Sequence, residues 1–209
     1  MSPEQVVFVV DDDAAVRDSL RWLMDSVGLR VVPFDSGEAF LDAVTPDREG
    51  CVLLDLRMPG LSGLEVHAQL RERGVELPVI VVSGHGDVPM AVRALKSGVV
   101  DFIEKPFKDQ ELLDCVQQAL RRDAKQRLQR MRRDELMTRY LTLTPRELDV
   151  LRLVVDGQAN KVIGTTLGIS QKTVETHRAR VMEKMAAGSV SELVRMTLVI
   201  ESQGKPLPF

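Results

Sequence analysis

Cysteine is scarce: the 209 residues hold two, Cys51 and Cys115. They show neither a disulfide framework nor the paired spacing of a metal site, and a reducing cytoplasm is expected. The histidines nearest in sequence, His67 and His85, stand apart from His177 and from any cysteine cluster, which gives no support to a zinc site. No apolar run nears the roughly 20 residues of a membrane span, so no membrane partner is expected. Met1-Ser2-Pro3-Glu4-Gln5 lacks a basic start, and a secretory leader is not expected. Glycine and proline are both missing from Lys108 to Arg139, so nothing there interrupts a helix.

Charge is unevenly spread. Residues 1–106 carry 10 basic and 18 acidic residues, residues 107–139 carry 9 and 6, and residues 140–209 carry 9 and 7. An acidic front suits cation binding, and a mildly basic back suits an anionic partner.

The first half alternates strand and helix five times. Val6–Val10, Leu29–Phe34, Cys51–Asp55, Pro78–Ser83 and Val99–Glu104 read as strands. Ala14–Val27, Ser36–Val44, Leu64–Arg73 and Asp87–Ser97 read as the helices between them, and Asp13 is a fitting N-cap for the first. This pattern implies a doubly wound, five-stranded parallel sheet of the α/β class. The second strand ends in Pro33-Phe34-Asp35 and reads as an edge.

Ligands of such sheets bind outside the carboxyl ends of the strands. Asp11-Asp12, Asp55, Ser83 and Lys105 all fall at those ends. Gathered carboxylates are unfavourable unless a cation joins them. An all-oxygen set favours a hard ion, Mg2+ (or Mn2+). A carboxylate can act as nucleophile and form an aspartyl phosphate. Lys105 would supply a positive charge to the phosphate, and Ser83 a hydrogen bond. Singly, each motif is commonplace; their joint spacing is not.

At these residues the chain resembles a response-regulator receiver domain of the CheY-like fold, over residues 4 to about 121. The resemblance rests on Asp11-Asp12, Asp55-Leu56-Arg57-Met58-Pro59, Ser83-Gly84 and Lys105-Pro106-Phe107. It implies that Asp55 is the phosphoacceptor and that Asp12, Asp55 and the Arg57 carbonyl hold the metal, with Asp11 helping through water. It also implies that Lys105 forms a salt bridge, that Lys105-Pro106 is cis, and that Phe102 and Ser83 form a switch. Gly84 to Val92 and Val100 to Phe107 look like the FixJ branch in particular.

From Lys108 the apolar spacing first fits packing against the receiver, then thins among arginines, as in a polar helix leaving a domain. Beyond it, Leu143-Thr144-Pro145-Arg146-Glu147 opens a helix with a capping box. Asn160–Leu167, the turn Gly168-Ile169-Ser170 and Gln171–Met185 form a helix-turn-helix. At 100° per residue, Val174, Val181 and Met185 share one side of the last helix, with His177 beside them as a packing residue. Lys172, Glu175, Thr176, Ala179 and Glu183 share the other, a face able to enter a major groove. Lys161, Arg178, Arg180 and Lys184 flank it and could meet phosphates; substituting Lys184 is then expected to flatten the salt dependence of DNA binding.

Residues 141 to about 200 resemble a LuxR-type four-helix DNA-binding domain, through Leu143–Glu147, Asn160-Lys161 and Thr173-Val174-Glu175-Thr176-His177. This brings Thr173 into the DNA-binding set. The resemblance also implies a dimer helix presenting Val190, Leu193, Val194 and Thr197. Gly164 departs from the family's usual alanine, and a glycine weakens a helix by roughly 1 kcal/mol.

The expected organisation is a receiver at 1–121, a helical linker at 122–139 and an all-α helix-turn-helix domain at 140–209. The expected function is a transcriptional regulator of the NarL/FixJ type. A sensor histidine kinase phosphorylates it on Asp55, and it forms a homodimer when phosphorylated. It binds promoter DNA and works with RNA polymerase. The rival readings are an aspartate-nucleophile phosphohydrolase and a DNA-binding protein with an unused receiver pocket. Against the first, Arg57 stands where a general acid would be needed.

Overall fold

Valine, isoleucine and leucine dominate the short apolar runs, and these become strands because branched side chains pack well on a pleated surface. A computed structural model describes residues 5–84 and 88–201; of residues 88–90 it describes the backbone. The sequence-predicted features at residues 85–87, within the FixJ-like motif and at the start of the fourth helix, lie outside the described residues.

The first unit contains β1 (Val6–Val10), α1 (Ala14–Asp25), β2 (Arg30–Phe34), α2 (Gly37–Ala43), β3 (Gly50–Leu54), α3 (Gly63–Glu72), β4 (Val79–Ser83), α4 (Val88–Ser97) and β5 (Asp101–Glu104). The five strands are parallel, in the order β2-β1-β3-β4-β5. β2 is an edge, as its Pro33 predicts.

Strand periodicity splits each central strand between two cores. Val10, Val52, Leu54 and Val81 pack with Phe40, Val66, Leu70 and Ala94 on one face. Val9, Cys51, Leu53, Ile80 and Ile103 pack with Leu20, Met24, Leu112 and Val116 on the other. Both cysteines are free; burial, then the nearby charge of Asp123, pushes the Cys51 thiol up to about 12, so it packs as a small apolar group. Trp22, on α1, is 75% exposed.

Gly50 allows β1 and β3 to lie together at their start. Its φ is +135°, and a Cβ there would fall 1.8 Å from the Val6 carbonyl oxygen.

α5 runs unbroken from Asp109 to Tyr140, 32 residues. Two compact units divide the chain at Arg127 and Leu128. The predicted linker is therefore shared out. Asp123 is 2% exposed; it accepts from the Gly50 amide at 3.0 Å and from Arg127 Nε at 2.9 Å, so this turn belongs to the first unit. Leu136 and Tyr140 lie in the core of the second.

The second unit continues with α6 (Pro145–Val155), α7 (Asn160–Leu167), α8 (Gln171–Met185) and α9 (Val190–Glu201). Thr144 and Glu147 form the predicted capping box, with Pro145 in the first turn. α7 ends on left-handed Gly168, and Ser170 caps α8 by accepting from the Thr173 amide at 3.1 Å.

Gly164 is more than a weak spot. It is buried where α7 meets the turn, and a Cβ would stand 2.8 Å from the Ile169 carbonyl oxygen. We therefore expect Gly164→Ala to lower the thermal midpoint, despite alanine's better helix propensity. A raised midpoint would mean that the turn shifts freely.

No helix among the described residues is long and apolar enough to cross a membrane.

Candidate functional site

Register brings the polar strand ends together. Val10 pairs with Leu54 and Leu54 with Val81, so Asp11 and Asp55 emerge side by side, next to the Ser83 end of β4. Ser83 pairs with Glu104, which delivers Lys105 to the same rim. Asp11, Asp55 and Ser83 are 3%, 8% and 1% exposed. Lys105 Nζ donates to Asp11 Oδ2 at 2.7 Å and to Asp55 Oδ1 at 3.1 Å.

Burial works against the charged amine of Lys105. Its hydrogen bonds and attraction to Asp11 and Asp55 outweigh that, and its pKa is held above the usual lysine range. The second oxygen of Asp55, Oδ2, accepts from the Arg57 amide at 2.6 Å. Asp11 Oδ1 accepts from the Asp13 amide at 2.9 Å. Two buried carboxylates thus share one amine, which leaves negative charge unbalanced.

Asp12 is exposed and stands outside that pair, and among the described residues no three His, Cys, Asp or Glu side chains are grouped to hold a metal. Lys105-Pro106 is cis. Phe102 is half-buried, packed against the core that includes Val81 and Ala94. Arg17 escaped the sequence reading: its Nη1 donates to the Asp11 carbonyl at 2.6 Å. Its helical spacing from Asp13 was the signal for a residue folded back over the strand end.

In the second unit, Lys161, Lys172, Glu175, Thr176, Ala179 and Arg180 are exposed, while Thr173 is half-buried in the α8 cap. Val174, Val181 and Met185 are buried, as the wheel predicts, and His177 is half-buried with its Nδ1 atom lacking a partner. Arg178 is half-buried and donates from Nη1 to Asn160 Oδ1 at 2.6 Å, tying α8 to α7.

Lys184 is turned inward. Its Nζ lies 2.6 Å from Glu147 Oε2 and donates to the Thr142 carbonyl at 3.0 Å. Glu147 is 2% exposed, and a buried carboxylate needs that partner. Burial raises the Glu147 pKa, but hydrogen bonds from Lys184 and Thr144 outweigh it and leave it below the usual glutamate range. A depressed folded pKa adds stability above the unfolded value, lost as pH falls through the folded one. We expect Lys184→Met to destabilise the second unit by about 2 kcal/mol and to leave the slope of log affinity against log salt unchanged. A slope reduced by about one would return Lys184 to the phosphates. We also expect the wild-type unit to lose stability as pH falls below the usual glutamate range, and Glu147→Gln to lose less over that range, measured by circular dichroism.

α9 buries two of the four residues expected at the dimer face. Leu193 and Thr197 are 1% and 3% exposed, packed inward with Met196 and Ile200. Val190 and Leu198, 38% and 57% exposed, lie outward with half-buried Val194.

Comparison with known proteins decides the family. The receiver-domain family of response regulators matches residues 7–117, and the luxR family of bacterial regulatory proteins matches residues 141–197. The chain is a response regulator of the NarL/FixJ type. This response regulator is 50% identical to the transcriptional regulatory protein FixJ of Azorhizobium caulinodans over 198 residues, 94% of each chain. It is 45% identical to the response regulator TodT of Pseudomonas putida, covering 92% of this chain and 85% of that one. Among solved structures, the response regulator StyR superposes with a TM-score of 0.84 at 42% identity, covering 93% of this chain and 98% of StyR. The response regulator is accordingly a phosphorylation-dependent, DNA-binding transcriptional regulator. Its relatives are named as regulators, and the phosphohydrolase reading is not favoured.

Proposed function

We propose that Asp55 is the phosphoacceptor and that a sensor histidine kinase is the donor. The observation that carries this is the shared amine: Lys105 Nζ bridges Asp11 and Asp55 at the rim of a buried sheet. A carboxylate oxygen of Asp55 attacks phosphorus, the phosphorus–nitrogen bond of the donor phosphohistidine breaks, and the imidazole leaves as the neutral ring, keeping the proton on its other nitrogen. Lys105 then moves its charge onto the new anion, and Ser83 donates to a phosphoryl oxygen.

Asp11, Asp12, Asp55 and the Arg57 carbonyl would hold Mg2+ or Mn2+; the oxygen donors and the unbalanced charge of Asp11 and Asp55 fit a hard divalent ion. When bound, such an ion would neutralise charge on the incoming phosphoryl group.

Phe102 follows Ser83 as a local switch. Phosphorylation drives a homodimer, with α9 contributing Val190, Val194 and Leu198. Lys161, Lys172, Thr173, Glu175, Thr176, Ala179 and Arg180 face promoter DNA, at which RNA polymerase is engaged in the cytoplasm.

The test is incubation of the full chain with acetyl phosphate and Mg2+. Expected are a phosphoryl group on Asp55, a larger sedimentation coefficient and tighter binding to a selected duplex. Modification elsewhere, with Asp55 untouched, would overturn the assignment. Equal affinity and oligomeric state before and after would favour an unused pocket.

A further inference from the structure

The outward face of α8 is charged at Lys172, Glu175, Arg180 and Glu183, and uncharged at Thr176 and Ala179. The last two are three residues apart and exposed, so they are neighbours on adjacent turns, with Cβ atoms about 5–6 Å apart.

Thr176 Oγ1 donates to the Lys172 carbonyl oxygen at 3.1 Å. That bond selects one of threonine's two helical rotamers. The hydroxyl proton is used within the helix, and the oxygen is drawn back over the preceding turn. The γ-methyl is the branch left to meet a partner. With the Ala179 methyl beside it, it makes a small apolar spot between charged side chains.

In the major groove, thymine carries the 5-methyl group, and apolar contact from alanine or a threonine methyl is one way to recognise it. We infer that Thr176, supported by Ala179, selects a thymine by methyl-to-methyl contact and that its hydroxyl makes no base contact. This rests on the reading of α8 as the groove helix. The back-bond presets the methyl before DNA arrives, so little rotamer freedom is lost on binding.

The test uses the full chain with acetyl phosphate and Mg2+. Its preferred duplex is first selected from a random library. Each thymine is then replaced by deoxyuridine, which keeps every hydrogen-bonding group and lacks the methyl. We expect affinity to fall about fourfold at one position, the effect of one buried methyl group. Thr176→Val should keep that discrimination, and Thr176→Ser should lose it. Thr176 is exposed, and circular dichroism melts check that both variants fold.

Indifference of the wild type to deoxyuridine at every position would overturn the inference. So would a Thr176→Ser protein that still discriminates. Failure of the underlying reading looks different: substituting Lys172, Glu175 and Arg180 would then leave the selected sequence unchanged. If those substitutions change the sequence while thymine and uracil bind alike, α8 reads the groove and Thr176 does not read the methyl.

Discussion

Asp55→Asn incorporates no phosphoryl group from acetyl phosphate, while the wild type does, and its DNA affinity no longer responds to the donor. The loss should be complete, because a carboxamide has no oxygen nucleophilic enough to attack phosphorus. The fold should survive. The carboxamide oxygen can still accept from the Arg57 amide, the partner of Asp55 Oδ2 in the wild type. Lys105 keeps its 2.7 Å bond to Asp11, so no buried charge is stranded. The unbalanced negative charge is also relieved, and the melting midpoint should hold or rise slightly. Intact-mass spectrometry reads the first outcome and calorimetry the second. A variant that still gains the phosphoryl mass would show that another side chain accepts it.

Gly50→Ala should unfold the first unit. Relief would require β3 to part from β1 at the start of the sheet, where a Cβ would lie 1.8 Å from a backbone oxygen. Moving away would also draw the Gly50 amide from Asp123, leaving a buried carboxylate short of a partner. Positive-φ strain adds to both. We expect a loss of about 4 kcal/mol or more. A thermal scan of the full chain should show the first unit's transition lost or sharply lowered. Asp123→Asn, which keeps an acceptor for the amide, should cost far less. A Gly50→Ala protein with an unchanged melt would mean that β1 and β3 separate without penalty.

These effects differ in how openly the sequence announced them. Asp55, Ser83 and Lys105 could be read because each apolar run stops on a chemically capable residue, and parallel strands bring their ends together. α8 could be read because Val174, Val181 and Met185 leave one polar face. α9 could not be oriented: Val190, Leu193, Val194, Met196, Leu198 and Ile200 leave no clearly polar side, so packing alone chose which of them went inside. Lys184 looked like one more surface cation, since its partner lies 37 residues away on α6. Asp123 was lost among arginines because it bonds a backbone amide 73 residues earlier, and backbone amides carry no sequence signature. Gly164 read as a blemish because the nearby carbonyl of Ile169 comes from the turn's path rather than from residue identity.

The sole tryptophan, Trp22, projects into solvent from α1. Its indole emission should already sit near that of the free amino acid and be quenched readily by iodide. Tryptophan emission is therefore almost blind to unfolding of either unit, whereas any macromolecule that covers that helix face will shift the emission to the blue.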